Sequence, residues 1–256
     1  MARTETPARR STLVVTGGSR GIGAAVARLA GARGFDVAVG FVADRRAADE
    51  VVREIGAAGG RAEAIQGDVG REDDVIRLFE AAERSLGPIE GLVSCAGITG
   101  GFARVAELSA DVLARVLAVN VGGTVLCARE AVRRMSTGRG GRGGSIVNVS
   151  SLAARLGSAG EWVHYATTKG AVETFTKGLA REVATEGIRV NAVAPGLIET
   201  DLHAAAGAPD RLERLASTIP MQRPGTALEV AEAILWLLTP AASYVTGAIL
   251  DVSGGR

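Results

Sequence analysis

Aromatic residues make up only 4% of this 256-residue chain, which also has just two cysteines and two histidines. The cysteines, Cys95 and Cys127, form no CxxC pair and lie in apolar stretches, so we expect buried, reduced thiols rather than a disulfide framework. Cysteine used in this way is typical of the reducing cytoplasm. So few histidines and cysteines, without the spacing of metal ligands, also predict that there is no metal site.

An excess of either charge is missing as well, since 29 Lys and Arg residues balance 28 Asp and Glu residues. This balance gives no electrostatic reason to bind nucleic acid or anionic lipid. The segment 138–144, GRGGRGG, is too short for an RGG-type nucleic-acid segment and is better interpreted as a surface turn. The longest apolar runs are too short to cross a bilayer, so we expect no membrane partner. Residues 1–11 lack the apolar segment of a signal peptide and are predicted to be a flexible tail.

The chain does have a regular alternation of short apolar runs and segments of helical period. The expected strands lie at 13–15, 37–41, 62–66, 92–96, 146–149, 190–193 and 248–251. Long helices are expected at 112–134 and 165–186. Strands that alternate with helices predict one α/β domain, 1–256, with a seven-stranded parallel sheet and helices on both faces. The segment 197–220 breaks the alternation and is expected to be a substrate lid.

A glycine-rich turn follows the first predicted strand, with the sequence TGGSRGIG at 16–23. Such a turn exposes backbone N–H groups at the positive end of the next helix, where a pyrophosphate can bind. Glycines permit both the tight turn and the close approach of the ligand. The spacing is GxxxGxG rather than the commoner GxGxxG. Its position after the first strand of a βαβ array favours a nucleotide site over simple packing.

Two other predicted strands end on groups suited to the same ligand. The Asp68 carboxylate, after the third strand, can accept a hydrogen bond from an adenine amino group, although Asp is also a common helix N-cap. The small residues of segment 94–97, SCAG, follow the fourth strand and leave room for a ribose or a nicotinamide.

Tyr165 and Lys169 lie four residues apart on a predicted helix and therefore share a face. A nearby ammonium stabilises a phenolate, so we expect the pKa of Tyr165 to be lowered, as general acid–base catalysis near neutral pH requires. Ser150 and Ser151 end the preceding strand and bring hydroxyls to the same sheet edge. Asn120 offers an amide there.

In their order and spacing, these motifs resemble those of classical short-chain dehydrogenases/reductases, particularly 3-oxoacyl reductase-like and sugar dehydrogenase-like members. The matching segments are TGGSRGIG at 16–23, DV at 68–69, SCAG at 94–97, N at 120, VNVSS at 147–151, YATTK at 165–169, RVNAVAPGLIET at 189–200 and YVTGAILDVSGG at 244–255. They cover nearly the whole chain. The resemblance implies a Rossmann-type doubly wound fold and hydride transfer between a nicotinamide cofactor and a carbonyl or alcohol carbon.

The resemblance further implies a catalytic tetrad of Asn120, Ser151, Tyr165 and Lys169. Tyr165 would exchange a proton with the substrate oxygen, and Ser151 would orient that oxygen. Lys169 would lower the tyrosine pKa and hold the nicotinamide ribose, while Asn120 would hold a water in a proton relay. The residues implied to bind the cofactor are Gly17, Ser19, Arg20, Gly21, Ile22, Gly23, Asp68, Val69, Ala96, Gly97, Tyr165, Lys169, Pro195, Gly196, Ile198 and Thr200.

The chain departs from the family pattern in two places. It has SCAG where NNAG is common, and Ser151 and Tyr165 are one residue further apart than usual. We expect the extra residue in the loop 157–164, beside the substrate. His164 could be a base and His203 could touch the substrate, but the tetrad already handles the proton and a solvated loop explains His203 more simply.

The cofactor is expected to be NADP(H), with NAD(H) possible. The end of the second strand, 40–41, carries no acid for a ribose 2′-hydroxyl, although Asp44 lies close behind. Arg20, Arg45 and Arg46 could instead bind a 2′-phosphate, unless they are ordinary surface groups.

The expected partner is a small carbonyl or alcohol substrate that is not strongly charged. A nucleotide-sensing regulator without chemistry is the alternative from another class. A 3-oxoacyl reductase acting on a carrier-bound substrate would need a basic patch, for which Arg129, Arg133 and Arg134 are candidates. The resemblance implies a homotetramer that pairs through its long helices and through segments 234–238 and 244–255.

Overall fold

The computed structural model describes residues 11–201, 207–208 and 210–256. The strands are β1 (Thr12–Thr16), β2 (Asp36–Phe41), β3 (Arg61–Gln66), β4 (Ile89–Ser94), β5 (Gly144–Val149), β6 (Ile188–Pro195), β7 (Ile198–Glu199), β8 (Gly225–Thr226) and β9 (Ile249–Val252). The helices are α1 (Gly21–Ala32), α2 (Arg45–Ala57), α3 (Glu72–Leu86), α4 (Ala110–Leu117), α5 (Thr124–Met135), α6 (Ala153–Leu156), α7 (Val163–Val183), α8 (Arg211–Leu215) and α9 (Ala227–Leu238).

Within the described residues, a seven-stranded sheet has the order β3-β2-β1-β4-β5-β6-β9, with every neighbouring pair parallel. The chain reverses its direction of winding between β1 and β4. In open parallel sheets, ligands bind at the carboxyl ends of the strands on either side of such a reversal. The predicted seven-stranded, doubly wound fold is confirmed.

Alternate side chains of the central strands enter two separate cores. Leu13 and Val15 of β1 pack with α1, α2 and α9, whereas Val14 packs with α3, α5 and α7 on the opposite face. Because both faces are covered, β1 and β2 are buried along their whole length. This burial explains why these strands are continuous apolar runs rather than alternating ones.

The long helix predicted at 112–134 spans Ala110–Met135, with a π-helical turn at Ala118–Gly123 between α4 and α5. By length and composition it is apolar enough to cross a membrane, contrary to our expectation from the apolar runs. About a third of its most apolar window is buried, and α5 packs on α3 and β4. A core helix of a globular protein meets the same criterion.

The structure differs from the prediction in three local features. The fourth strand ends at Ser94, so Cys95 and Ala96 lie beyond it rather than within it. The segment 197–220 contains β7 and α8, neither of which was predicted, while 202–206 and 209 lie outside the described residues. Of the predicted tail 1–11, only Ser11 is described, and its hydroxyl donates to Glu90 Oε2 at 2.8 Å.

Candidate active site

The glycine-rich turn runs from the end of β1 to the start of α1. Gly17 and Gly21 have φ values of +63° and +53°, which side chains rarely allow. A Cβ on Gly17 would lie 2.9 Å from the Ala96 Cα, and one on Gly23 would lie 2.2 Å from the Gly17 oxygen. The N-cap of α1, Arg20, makes no side-chain capping bond. The turn therefore presents first-turn N–H groups to a ligand, as a pyrophosphate site requires.

Thr16 joins the two strands that flank the reversal point. Its hydroxyl oxygen accepts hydrogen bonds from the backbone N–H groups of Cys95 and Ala96, at 3.1 and 3.2 Å. The contact holds the segment after β4 against the glycine-rich turn. From the sequence we expected Thr16 only to begin the turn, because no local pattern predicts a hydrogen bond to a residue 79 positions away.

Asp68 is not the N-cap of α3, because Arg71 occupies that position. Its Oδ1 accepts a hydrogen bond from the Gly70 N–H at 2.9 Å, and its Oδ2 lies 2.8 Å from Arg115 Nη2. The N-cap alternative is therefore wrong. Arg115, on α4, was missed by the sequence reasoning because its partner is 47 positions away.

A cavity of about 730 Å³ extends along the carboxyl edge of the sheet. Every residue that the family resemblance assigned to the cofactor lines it, from Gly17 to Thr200. At one end are Asp44 and Asp68; at the other are Trp162, Arg211 and Leu215, which the sequence did not single out. The lining joins the glycine-rich turn to residues that follow β3, β4, β5 and β6, so the space fits a dinucleotide.

Ser151, Tyr165 and Lys169 line the same cavity. Tyr165 is 7% exposed, and its oxygen is hydrogen-bonded to Ser151. Lys169 Nζ donates to the Val149 carbonyl at 2.7 Å and lies 5.5 Å from the centre of the tyrosine ring. The hydroxyl, the phenol and the ammonium therefore converge, although the ammonium reaches the backbone rather than the phenol oxygen.

The predicted lowering of the Tyr165 pKa is wrong. Burial raises the pKa of Tyr165 to about 12, against the smaller opposing effects of the Ser151 hydrogen bond and the Arg211 charge. Burial also lowers the pKa of Lys169 to about 8. Desolvation penalises whichever form is charged, so the same environment raises the pKa of the phenol and lowers that of the ammonium.

Asn120 lies in the π-helical turn and is fully buried rather than exposed to the cavity. Its side-chain oxygen accepts a hydrogen bond from the Ile98 N–H, and its amide donates to the Ile98 carbonyl and the Thr168 hydroxyl, at 2.9, 2.9 and 3.0 Å. Asn120 therefore ties the segment after β4 to the helix that carries Tyr165. The predicted water relay stays a prediction.

The remaining serine, histidine and cysteine candidates that the structure describes lie around the tyrosine. The Ser150 hydroxyl bonds to Glu173 at 3.1 Å, whereas Ser151 faces Tyr165. His164 Nε2 lies 2.7 Å from the Thr99 carbonyl, so the ring braces a loop. Cys95 is half-buried at the cavity wall, not buried as predicted, and burial raises its pKa to about 11. His203 lies outside the described residues.

The end of the cavity at β2 contains only some of the predicted cationic groups. Arg20 is exposed and lines the cavity, whereas neither Arg45 nor Arg46 does. Arg45 pairs with Asp49 at 3.2 Å and lies over the Phe41 ring. Asp44 lines the cavity but accepts a hydrogen bond from the Ala47 N–H at 2.9 Å as the N-cap of α2.

Comparisons with known proteins agree with this geometry. The family model described as enoyl-(acyl carrier protein) reductase matches residues 17–256. The chain is 51% identical to the uncharacterized oxidoreductase YgfF of Escherichia coli (strain K12), over 95% of this chain and 98% of the relative.

Two solved structures are also similar. The short-chain dehydrogenase/reductase of Serratia marcescens BCRC 10948 has a TM-score of 0.89 at 32% identity, covering 98% of this chain and 99% of its own. A blue fluorescent protein from a metagenomic library, in complex with NADPH, has a TM-score of 0.87 at 35% identity, covering 96% and 97%. The chain belongs to the short-chain dehydrogenase/reductase family and is an oxidoreductase that acts on CH–OH groups.

Proposed function

We propose that this enzyme interconverts a carbonyl and a secondary alcohol with NAD(P)(H), using Tyr165 as the acid and base. The observation that carries the proposal is that the Tyr165 side chain lines the same cavity as the glycine-rich turn. A cofactor whose pyrophosphate lies on that turn can extend along the sheet edge toward the tyrosine. When bound, the reduced nicotinamide supplies the hydride.

In the reduction, Tyr165 donates its proton to the carbonyl oxygen as the carbon accepts the hydride. The raised pKa of Tyr165 keeps the phenol protonated at neutral pH, which suits this direction. The Ser151 hydroxyl holds the substrate oxygen beside the phenol. Lys169, with its pKa lowered to about 8, can return a proton to the site after each turnover. Oxidation follows the reverse path, with the phenolate as the base.

Lys169 and Asn120 have supporting roles in this proposal. Lys169 would bind the nicotinamide ribose in addition to returning a proton to the site. Asn120 would keep Ile98 and Thr168 in register, so that the segment after β4 and the start of α7 form opposite walls of one site. A water relay through Asn120 to Lys169 remains part of the proposal.

NADP(H) is the proposed cofactor because Arg20 lines the cavity and Asp44 is already engaged as a helix cap. Arg20→Ala is expected to raise the KM for NADPH about tenfold or more, because a charge-assisted hydrogen bond to the 2′-phosphate is lost. The KM for NADH should change little. Steady-state kinetics with both cofactors measure the difference.

Arg53→Ala is the matched control, since Arg53 is an exposed arginine on α2 away from the cavity lining. It should leave both KM values unchanged. An equal effect of Arg20→Ala on NADPH and NADH would remove the argument for a 2′-phosphate contact.

The proposed substrate is compact and carries no strong net charge. The wall near Tyr165 consists largely of apolar side chains, and its Arg211 is paired with Glu161 at 2.7 Å. The apolar members are Leu152, Leu156, Trp162, Leu197 and Leu215. Such a wall favours a ring or a short chain over a polyanion.

A turnover assay separates the enzyme from a nucleotide-sensing regulator. NADPH oxidation would be followed with a short ketone, a cyclic ketone, a steroid ketone and a 3-oxoacyl thioester, and NADP⁺ reduction with an aldose. We expect turnover on at least one of them. Tight NADPH binding without turnover on any of them would support the regulator.

The basic patch that a carrier-bound substrate would need is not supported by the structure. Each arginine expected to form a basic patch pairs with an acid: Arg129 with Glu72, and Arg133 and Arg134 with the buried Glu130. These ion pairs neutralise the positive charges, so the surface here does not form a basic patch for an acidic carrier.

A homotetramer and a cytoplasmic location remain proposals. Exposed apolar side chains on α4 and α5, including Leu113 and Leu117, support pairing through the long helices. The segment 234–238 is mostly core, since Ile234, Leu235 and Leu237 are fully buried. Exposed Trp236 and Tyr244 would have to provide the second interface. Two free thiols support a reducing location.

A further inference from the structure

Arg211, the first residue of α8, is a nearly buried cation at the substrate end of the cavity. Its Nη2 lies 2.7 Å from Glu161 Oε2, and its Nε donates to Glu161 Oε1 at 3.4 Å. The planar guanidinium thus makes a two-point contact with one carboxylate, which fixes its orientation. Arg211 belongs to the segment 197–220, whereas Glu161 belongs to the loop before α7.

The same guanidinium lies over an aromatic side chain. Its Cζ is 4.6 Å from the centre of the Trp162 ring, and Trp162 is almost completely buried. Trp162 in turn meets the Tyr165 ring edge-on, with the ring centres 6.1 Å apart. A continuous series of contacts therefore runs from Arg211 through Trp162 to Tyr165.

Burying a cation is costly even when it is paired, so its place beside the reactive group needs a reason. Arg211, Trp162, Glu161 and Tyr165 all line the one cavity. An ion pair at the protein surface could hold segment 197–220 against the loop before α7 equally well, without lying near the tyrosine. The position of Arg211 therefore indicates that it influences Tyr165 and does more than hold two loops together.

We propose that Arg211 is a positioning residue for Tyr165. Arg211 is held by Glu161 and stacks on Trp162, so it fixes the position of the indole ring, and the indole ring in turn fixes the orientation of the tyrosine ring. The inference rests on the proposed function of Tyr165 as the acid and base. Neither the family motifs nor the sequence spacing pointed to Arg211.

Among the described residues, the titratable groups that interact with Tyr165 or its ring include groups on three elements. Lys169 lies on the same helix, Cys95 follows β4, and Arg211 lies on α8. His164 faces Thr99 instead. Arg211 favours the phenolate and so partly offsets the effect of burial on the Tyr165 pKa.

The test uses Arg211→Met in a Trp236→Phe background, where Trp162 is the sole tryptophan of the chain. Acrylamide quenching of Trp162 should increase. With NADPH and the best ketone from the assay above, kcat should fall about tenfold, because a displaced acid no longer meets the substrate oxygen. The KM for NADPH should not change. The alkaline limb of the kcat profile for reduction should move to higher pH, because removing a positive charge makes the phenol less acidic.

Arg214→Met is the matched control, since Arg214 is an exposed arginine on the same helix, 3.5 Å from the exposed Asp210. It should resemble the parent in every measurement. Arg211→Lys keeps the charge but lacks the planar fork, so its kcat should also fall; it serves if Arg211→Met does not fold.

An Arg211→Met variant with increased quenching but an unchanged kcat and pH profile would assign Arg211 a structural role only and overturn the proposal. So would wild-type kcat in Arg211→Lys. The result is separable from the proposed function. If Tyr165→Phe retains turnover, the acid–base assignment itself fails. If Tyr165→Phe is inactive and Arg211→Met is normal, only this inference fails.

Discussion

Tyr165→Phe is expected to lower kcat for carbonyl reduction by about 10³-fold, within the range that general acid–base catalysis contributes. The substitution removes a single oxygen, which hydrogen-bonds to Ser151, and keeps the ring that packs against Trp162. The volume is nearly conserved, so the fold should remain intact. NADPH binding should remain measurable, because the glycine-rich turn and the rest of the lining are unchanged. Single-turnover kinetics together with cofactor titration measure both quantities.

Tyr244→Phe is the control for this prediction. Tyr244 is the other tyrosine of the chain, and it is fully exposed and outside the cavity lining. Its replacement should leave kcat for reduction unchanged. Turnover by Tyr165→Phe comparable with that of the Tyr244→Phe variant would exclude the phenol as the proton donor.

Lys169→Met is expected to abolish most activity while making the protein more stable at pH 6. The pKa of Lys169 is lowered by burial from 10.5 to about 8, so carrying the charge in the folded state costs about 3 kcal/mol at low pH. Methionine removes this penalty but leaves the Val149 carbonyl without its donor, which costs about 1–3 kcal/mol. The net gain should be about 1 kcal/mol, measurable by denaturant unfolding.

The gain in stability should depend on pH in a defined direction. Below pH 8, Lys169 is protonated in both the folded and unfolded states, and the full penalty applies. Between pH 8 and pH 10.5, the unfolded state binds more protons than the folded state, so the wild type becomes more stable as the pH rises. The advantage of Lys169→Met should therefore shrink between pH 8 and pH 10.5.

Lys177→Met provides the comparison, because Lys177 is the other lysine of the chain and lies exposed on the same helix. It should change neither activity nor the pH dependence of unfolding. A stability difference between Lys169→Met and wild type that stays constant from pH 6 to pH 10 would contradict the desolvation argument.

The sheet could be predicted because most of its strands are short apolar runs followed by a segment of helical period. Parallel strands bring their carboxyl ends to one edge, so the Thr16–Gly23 turn, Asp68 and Tyr165 were expected to meet there. The structure places them along one cavity. The short elements β7 and α8 escaped prediction, since two to five residues carry no periodicity.

Electrostatic properties could not be read in the same way. The four-residue spacing of Tyr165 and Lys169 suggested a lowered phenol pKa, but the burial that raises it comes from distant parts of the chain. Likewise, Arg129 looked like part of a basic patch until α5 was placed beside α3, where Glu72 pairs with it. The pairing of Arg133 and Arg134 with Glu130, by contrast, has the three- and four-residue spacing of helical neighbours and could have been predicted. Local sequence reports which charges exist but not how much water surrounds them.

The sequence by itself determined the sheet, the glycine-rich turn and the order of the reactive groups, because these follow from short-range periodicity and from the geometry of parallel strands. Only the tertiary structure decided the burial of the phenol, the pairing of Asp68 with Arg115, and the contact of Arg211 with Glu161 and Trp162. Each of these depends on residues that are far apart in the chain, and desolvation is a property of the whole packed surroundings rather than of any one segment.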